Sequence, residues 1–293
     1  MSSLTAAALA VPADSNPGAS TTRFAPADDG WRAHLALRFE RRATRTDLTG
    51  RRHHGPLTVQ RPFYPEGEPA HIYLLHPPGG VVGGDRLHLE VKLEEGSHAL
   101  LTMPGATKFY RSAGPTSLLE QHFHVAAGAT LEWLPQDSIL FPGAKMRLHT
   151  RFQLEPGARL MAWETLCLGR PVMGESFDHG RLDSLLAVEQ GGVPLLHERL
   201  RLDGGQLAKV CGLPLLATFC IAPATEQLLE QAREELAGLP RPAGATLLDD
   251  HLLVIRLLDD DNQRLQSTLQ RLWQRLRPAV LGRAPCPPRI WAT

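Results

Sequence analysis

Apolar and polar residues alternate with period two in several stretches of this chain, and the stretches recur. Leu57, Val59, Arg61 and Phe63 form one run, and Leu87, Leu89, Val91 and Leu93 a second. Leu119, Gln121, Phe123 and Val125 follow, then Met146, Leu148, Thr150, Phe152 and Leu154, then Ser184, Leu186 and Val188. Successive side chains of a strand point to opposite faces, so each run predicts a strand with one buried face. Each is followed by a turn glycine, at Gly67, Gly96, Gly128, Gly157 and Gly191, spaced 29, 32, 29 and 34 residues apart. More continuous apolar runs come next, at 72–75, 99–103, 131–134, 160–163 and 195–196. The first three end at Pro77, Pro104 and Pro135, where the missing N–H stops a ladder.

A strand, turn, strand and loop recurring every thirty residues or so predicts a mainly β fold, an irregular β-helix or solenoid of stacked strands. A β-sandwich also uses closely spaced strands and is the alternative. The loops fall at one phase of the repeat, which favours stacking. Those beginning near Pro77, Pro104, Pro135 and Gly169 should then share one edge of the molecule.

After residue 205 the pattern changes. Residues 213–222 and 252–258 read as strands. Leu228, Leu229, Ala232 and Leu236 give a helix over 224–239, closed by Gly238 and Pro240. Leu265, Leu269, Leu272 and Leu276 give a second over 262–277, with Asn262 as N-cap and Pro278 as its stop. The expected organisation is a mobile tail over 1–30, one β-rich domain over 31–282, and a Pro-rich tail over 283–293 lying on the surface or against a partner. Within the domain the repeats span about 57–205 and the mixed region about 206–282.

With 31 basic and 31 acidic side chains the balance offers no basic excess for nucleic acid or an anionic membrane. The cluster Arg41, Arg42, Arg45, Arg51 and Arg52 reads as a solvated face. No stretch approaches the ~20 apolar residues of a membrane span. Cys167, Cys211, Cys220 and Cys286 form no metal-ribbon or disulfide pattern, and no basic region precedes the short apolar run 6–11, so a cytoplasmic location is expected.

The densest motif is His76-Pro77-Pro78-Gly79-Gly80-Val81-Val82-Gly83-Gly84-Asp85, in which six of ten residues are Pro or Gly. Such density constrains the backbone path and permits close approach. The order is wrong for a dinucleotide fingerprint, and a strand-like run follows where a phosphate cradle needs a helix. A second loop runs Pro104-Gly105-Ala106-Thr107-Lys108-Phe109-Tyr110-Arg111. Lys108, Tyr110 and Arg111 suit either an anionic ligand or a structural turn with solvated cations. Asp85, Glu132, Glu164 and Glu175 lie in or beside strands, some among large apolar residues, where a lone charge needs a cation, a metal or a wet cavity. His76, at a strand end, is a candidate ligand or a structural hydrogen-bonding group. His122 and His124 share a strand face with Glu120 and read chiefly as polar outer surface.

The two loops above, with Leu131-Glu132-Trp133-Leu134-Pro135-Gln136 and Gly169-Arg170-Pro171-Val172-Met173-Gly174-Glu175, resemble the ordered motifs of the urease accessory protein UreD (UreH) family over roughly residues 30–280. The resemblance implies a β-rich, non-catalytic scaffold. It would bind the urease apoprotein and UreF, and through UreF the GTPase UreG, and would facilitate nickel delivery. In that setting Asp85, Glu132, Glu164, Glu175 and His76 become candidates for lining a nickel path. Pro77, Pro78, Gly79, Gly80, Gly83, Gly84, Lys108, Tyr110, Arg111 and Arg170 become structural or interface residues. No tightly bound cofactor or stable metal site is implied, only transient nickel(II), which weak carboxylate and imidazole coordination suits. The rival reading is a β-solenoid enzyme acting on carbohydrate, with loop carboxylates as general acid and base. A binding module for a small anion is a third.

Overall fold

A computed structural model describes residues 30–292. The expected tail over 1–30 lies almost entirely outside the described residues. The chain winds between two sheets. β1 (Arg32–Arg42) turns back as β2 (Arg45–His54), and β3 (Thr58–Val59) leads to β4 (Ala70–Leu75) in the second sheet. β5 (Arg86–Leu93) returns to the first sheet, β6 (His98–Thr102) to the second, and β7 (Thr107–Phe109) lies in the loop that follows. β8 (Ser117–Val125), β9 (Thr130–Leu134) and β10 (Ser138–Leu140) make the next coil, and β11 (Lys145–Leu154), β12 (Arg159–Arg170) and β13 (Glu175–Ser176) the one after. β1, β5, β8, β11 and β14 (Arg181–Gln190) stack in parallel, as do β4, β6, β9 and β12. The result is a β-solenoid of about four turns.

The alternation explains the stack. In β5 and β11 the apolar positions are buried and the polar ones largely face out, so Leu87, Leu89, Val91, Leu93, Met146, Leu148, Phe152 and Leu154 meet the second sheet. Phe123 stacks on Phe152 at 4.8 Å and meets Trp133 across the layer at 4.9 Å. β6 and β9 are buried along their whole length, which is why their runs are continuous and not alternating. Their other face is turned toward α2 (Asn262–Leu281), whose Trp273 reaches Glu132, and α1 (Glu226–Leu236) packs beside α2; the two helices close a second core around Leu100, Leu134, Trp163 and Phe219.

The corners at Gly96, Gly128 and Gly157 all have positive φ. Glycine is favoured there because the turn needs left-handed backbone. The repeat is shorter than its sequence pattern suggests. Val59 in the first run belongs to β3, which pairs antiparallel with β4, while β1 takes the expected place in the first sheet. At the other end Gly191 is a hairpin corner: β15 (Val193–Asp203) folds back antiparallel on β14 instead of crossing to the second sheet. That sheet is completed by β16 (Leu215–Ala222), β17 (Ala243–Leu248) and β18 (Leu252–Asp259), all antiparallel.

Two C-terminal expectations are corrected. The N-cap of α2 is Asp261, whose side chain accepts from the Arg264 N–H at 3.1 Å, and not Asn262. Pro278 lies inside the helix, which ends at Leu281 with Gly282 in left-handed conformation. The segment after 282 runs along the surface and is anchored by Trp291, which stacks at 5.6 Å on Trp163 and lies edge-on at 5.3 Å to Trp273. Apolar indole surface is better buried there than left in water. No described helix is long and apolar enough to cross a membrane.

Candidate functional site

The loops at 77, 104, 135 and 169 do share one edge, and backbone hydrogen bonds join them. The Val81 N–H donates to the Lys108 carbonyl at 2.7 Å, Thr107 to Asp137 at 2.8 Å, Ser112 to Gly143 at 3.0 Å, and Gly143 to His179 at 2.8 Å. Gly80 is required by close approach, since a Cβ there would lie 2.6 Å from the Lys108 carbonyl oxygen. Side chains continue the link. The Tyr110 hydroxyl donates to the Gly79 carbonyl at 3.0 Å, Tyr110 meets Phe141 edge-on, and the Arg170 guanidinium lies 4.6 Å from the Phe141 ring centre. Tyr110 and Arg170 therefore hold the edge together, while Lys108 and Arg111 remain at its surface.

The four carboxylates singled out from the sequence have different environments. Asp85 is buried and accepts from the Trp31 N–H at 2.8 Å and the Val82 N–H at 2.9 Å. It fixes the loop, instead of being presented by it. Glu175 pairs with Arg170, Nε to Oε2 at 2.7 Å, on the exposed side of the edge. Glu132 faces α2, away from the space between the sheets. It receives His98 at 2.8 Å, the Trp273 indole N–H at 2.7 Å and Arg277 at 2.9 Å. Burial alone would raise its pKa, but the hydrogen bonds and charges of His98 and Arg277 hold it down to about 2. Arg277 also bridges to Glu66, which contacts His71 at 2.7 Å. This buried network was missed because Glu66 and Arg277 lie 211 residues apart.

Glu164 alone of the four faces the space between the sheets. The Thr150 hydroxyl donates to it at 2.8 Å and the Ser184 hydroxyl at 3.2 Å. Burial pushes its pKa up to about 7, because these two hydrogen bonds only partly offset desolvation and the nearby Glu198 opposes ionisation. Gln121 extends the polar strip, 3.2 Å from the Thr150 hydroxyl. Thr150, Gln121 and Ser184 occupy inward positions in otherwise apolar runs, a signal in the sequence that could have found the strip and was not used.

Three cavities adjoin along this strip. One of about 510 Å³ opens at the loop edge between His76, Pro77, Pro78, Gly79, Gly80 and Lys108. It shares Leu74, His76, Met103 and Thr107 with an inner cavity of about 40 Å³, whose wall includes Gln121, Trp133 and Glu164. That volume admits water. Glu164 is in turn shared with a cavity of about 300 Å³ lined by Ser184, Glu198, Lys209 and Arg256. His76 stands where the first two meet, and burial lowers its pKa against the opposing charge of Asp85. A neutral imidazole and a carboxyl poised near neutrality can both take up and release a cation.

Asp85, Glu132 and Glu175 are each occupied by other partners, so no pair of the four acids converges on a common cleft as general acid and base would. Burial pushes the thiols of Cys167 and Cys220 up to about 12, which keeps them from acting as thiolates.

A family model described as UreD urease accessory protein matches residues 32–292. The chain is 68% identical over 267 residues to the urease accessory protein UreD of Pseudomonas entomophila, an alignment covering 91% of this chain and 96% of that protein. It is 54% identical to that of Citrobacter koseri, over 90% of this chain and 92% of the relative. The corresponding protein of Klebsiella pneumoniae is 52% identical, with 93% and 99% covered.

Proposed function

The chain belongs to the UreD family of urease accessory proteins, and on that premise, which places it in urease maturation, we propose that it is a non-catalytic scaffold that bridges urease apoprotein to UreF and, through it, to the GTPase UreG. Nickel(II) passes through it toward the urease active site as cargo and is not retained. The row of adjoining cavities from the loop edge past His76 to Glu164 and beyond carries this reading. Of the acids first considered, Glu164 is the one suited to a path. Asp85, Glu132 and Glu175 serve the architecture.

Weak, incomplete coordination favours passage over storage. His76 and Glu164 supply one imidazole and one carboxylate, and Gln121, Thr150 and Ser184 supply neutral oxygens between apolar walls. Exposed Val82, Val172 and Met173 lie on the loops of the same edge, with exposed Trp31 beside the first loop through its N–H on Asp85, and apolar side chains so placed suit a protein partner.

The test is co-expression with the urease subunits and the other accessory proteins, followed by affinity capture and measurement of nickel in the purified urease. Glu164→Ala is expected to lower the nickel content while leaving the captured complex unchanged, and Glu175→Gln to preserve nickel loading. Fully loaded urease from the Glu164→Ala strain would remove the path, and failure of the wild-type chain to retain urease would remove the scaffold.

A further inference from the structure

The outer face of the first sheet carries a row of imidazoles that the reading above does not use. Backbone register places His54, His34, His88, Glu120 and His149 side by side on β2, β1, β5, β8 and β11. Glu90, two residues beyond His88, lies on the same face and neighbours His122. Neighbouring strands lie about 4.8 Å apart, so ligands along such a row are held at a spacing that small rotations can close around one ion.

We propose that His34, His88 and Glu90 form a binding site for a divalent transition-metal ion on this outer face. One ligand atom from each lies within 4.8 Å of the others. The Glu90 carboxylate spans the two rings, with Oε1 at 2.8 Å from His88 Nε2 and Oε2 at 3.7 Å from His34 Nε2. The rings of His34 and His88 stack at 5.2 Å, and His122 meets His88 edge-on at 5.2 Å. Metal–ligand bonds of about 2.0–2.1 Å put neighbouring donors roughly 3–4 Å apart, a modest contraction from what is present.

Two features separate this group from an ordinary surface ion pair. Asp183 pairs with Arg199, and Glu94 with Arg38 and Lys92, while Glu120 and Glu155 each contact a single imidazole. Glu90 is shared by two imidazoles. Behind His88, Glu120 Oε2 lies 3.5 Å from Nδ1, leaving Nε2 toward Glu90 and His34. A carboxylate behind a ligating imidazole is the usual way such a ring is oriented. Two imidazoles and a carboxylate suit zinc, nickel, cobalt or copper, whereas magnesium and calcium prefer an all-oxygen shell. The strands supply three ligands and the face is open, so water completes the coordination and the ion exchanges readily.

The experiment is equilibrium dialysis and calorimetry of the full chain with Ni²⁺, Zn²⁺ and Mg²⁺ separately. The wild type is expected to take up one equivalent of nickel or zinc that the His34→Asn/His88→Asn double variant lacks. Glu164→Gln should keep that equivalent, which separates this site from the internal path. Glu120→Gln is expected to weaken it roughly 10-fold. Paramagnetic broadening of the His34 and His88 imidazole resonances by Ni²⁺ in the wild type provides a reading independent of any variant. Unchanged stoichiometry and affinity in the double variant, equal binding of Mg²⁺, or absence of preferential broadening at these two rings would each overturn the site.

Discussion

Arg277 on α2 lies 2.9 Å from Glu132 on β9, with both side chains removed from solvent. This pair, extended to Glu66, ties the helical layer to the second sheet. Removing one partner of a buried ion pair leaves an uncompensated charge, so Arg277→Ala is expected to cost about 3–5 kcal/mol in denaturant unfolding. The same network gives acid sensitivity. The Glu132 pKa is below its unfolded value of 4.5, so its contribution is present above that pH and lost as the pH falls toward 2.

Glu164 has the opposite linkage. Its pKa is raised from 4.5 to about 7, so the folded state holds a proton that the unfolded state has released, and stability falls as pH rises through that interval. The full loss is about 3 kcal/mol, of which about 2 kcal/mol falls between pH 5 and pH 7.5. Chemical denaturation at pH 5 and pH 7.5 should show a smaller difference in Glu164→Gln than in the wild type. An unchanged difference would assign the pH dependence elsewhere.

Trp291 closes the second core between Trp163 and Trp273. Trp291→Ala is expected to cost about 2 kcal/mol, less than the 3–5 kcal/mol of a fully buried aromatic, and to lower the thermal midpoint. A variant as stable as the wild type would show that the C-terminal segment packs without holding.

Gly80→Ala would drive a Cβ to 2.6 Å from the Lys108 carbonyl oxygen and 2.5 Å from a Tyr110 ring carbon. Neither the Val81–Lys108 nor the Tyr110–Gly79 hydrogen bond survives such a displacement. The solenoid should keep its circular dichroism spectrum while capture of urease or UreF falls several-fold. Normal capture would place the interface away from this loop.

The stacked strands, the shared loop edge and the two helices were legible because alternation, glycine spacing and heptad-like stripes are local properties. What escaped was the pairing of distant charges. Nothing near Glu132 announces Arg277, 145 residues away, and the outward row containing His34 and His88 exists only once parallel register sets β1 beside β5. The ends of the repeat were misread for a related reason. Val59 and Gly191 occupy the right sequence phase, but phase does not say whether a strand crosses to the other sheet or doubles back. Glu164 was legible as an awkward acid, while the environment that separates it from Glu132 depends on which side of one sheet each residue faces.

A parallel stack of strands exposes a template at each end, onto which further strands can add without limit. Here β2 runs antiparallel to β1 at one end of the first sheet, and β15 antiparallel to β14 at the other. The parallel coil order therefore stops at both ends of this sheet, and its length is a fixed number of coils. Four coils at about 4.8 Å each give the space between the sheets a span on the order of 20 Å. Adding or deleting one coil would change that span by a whole step, so the protein behaves as a ruler with graduations of one strand.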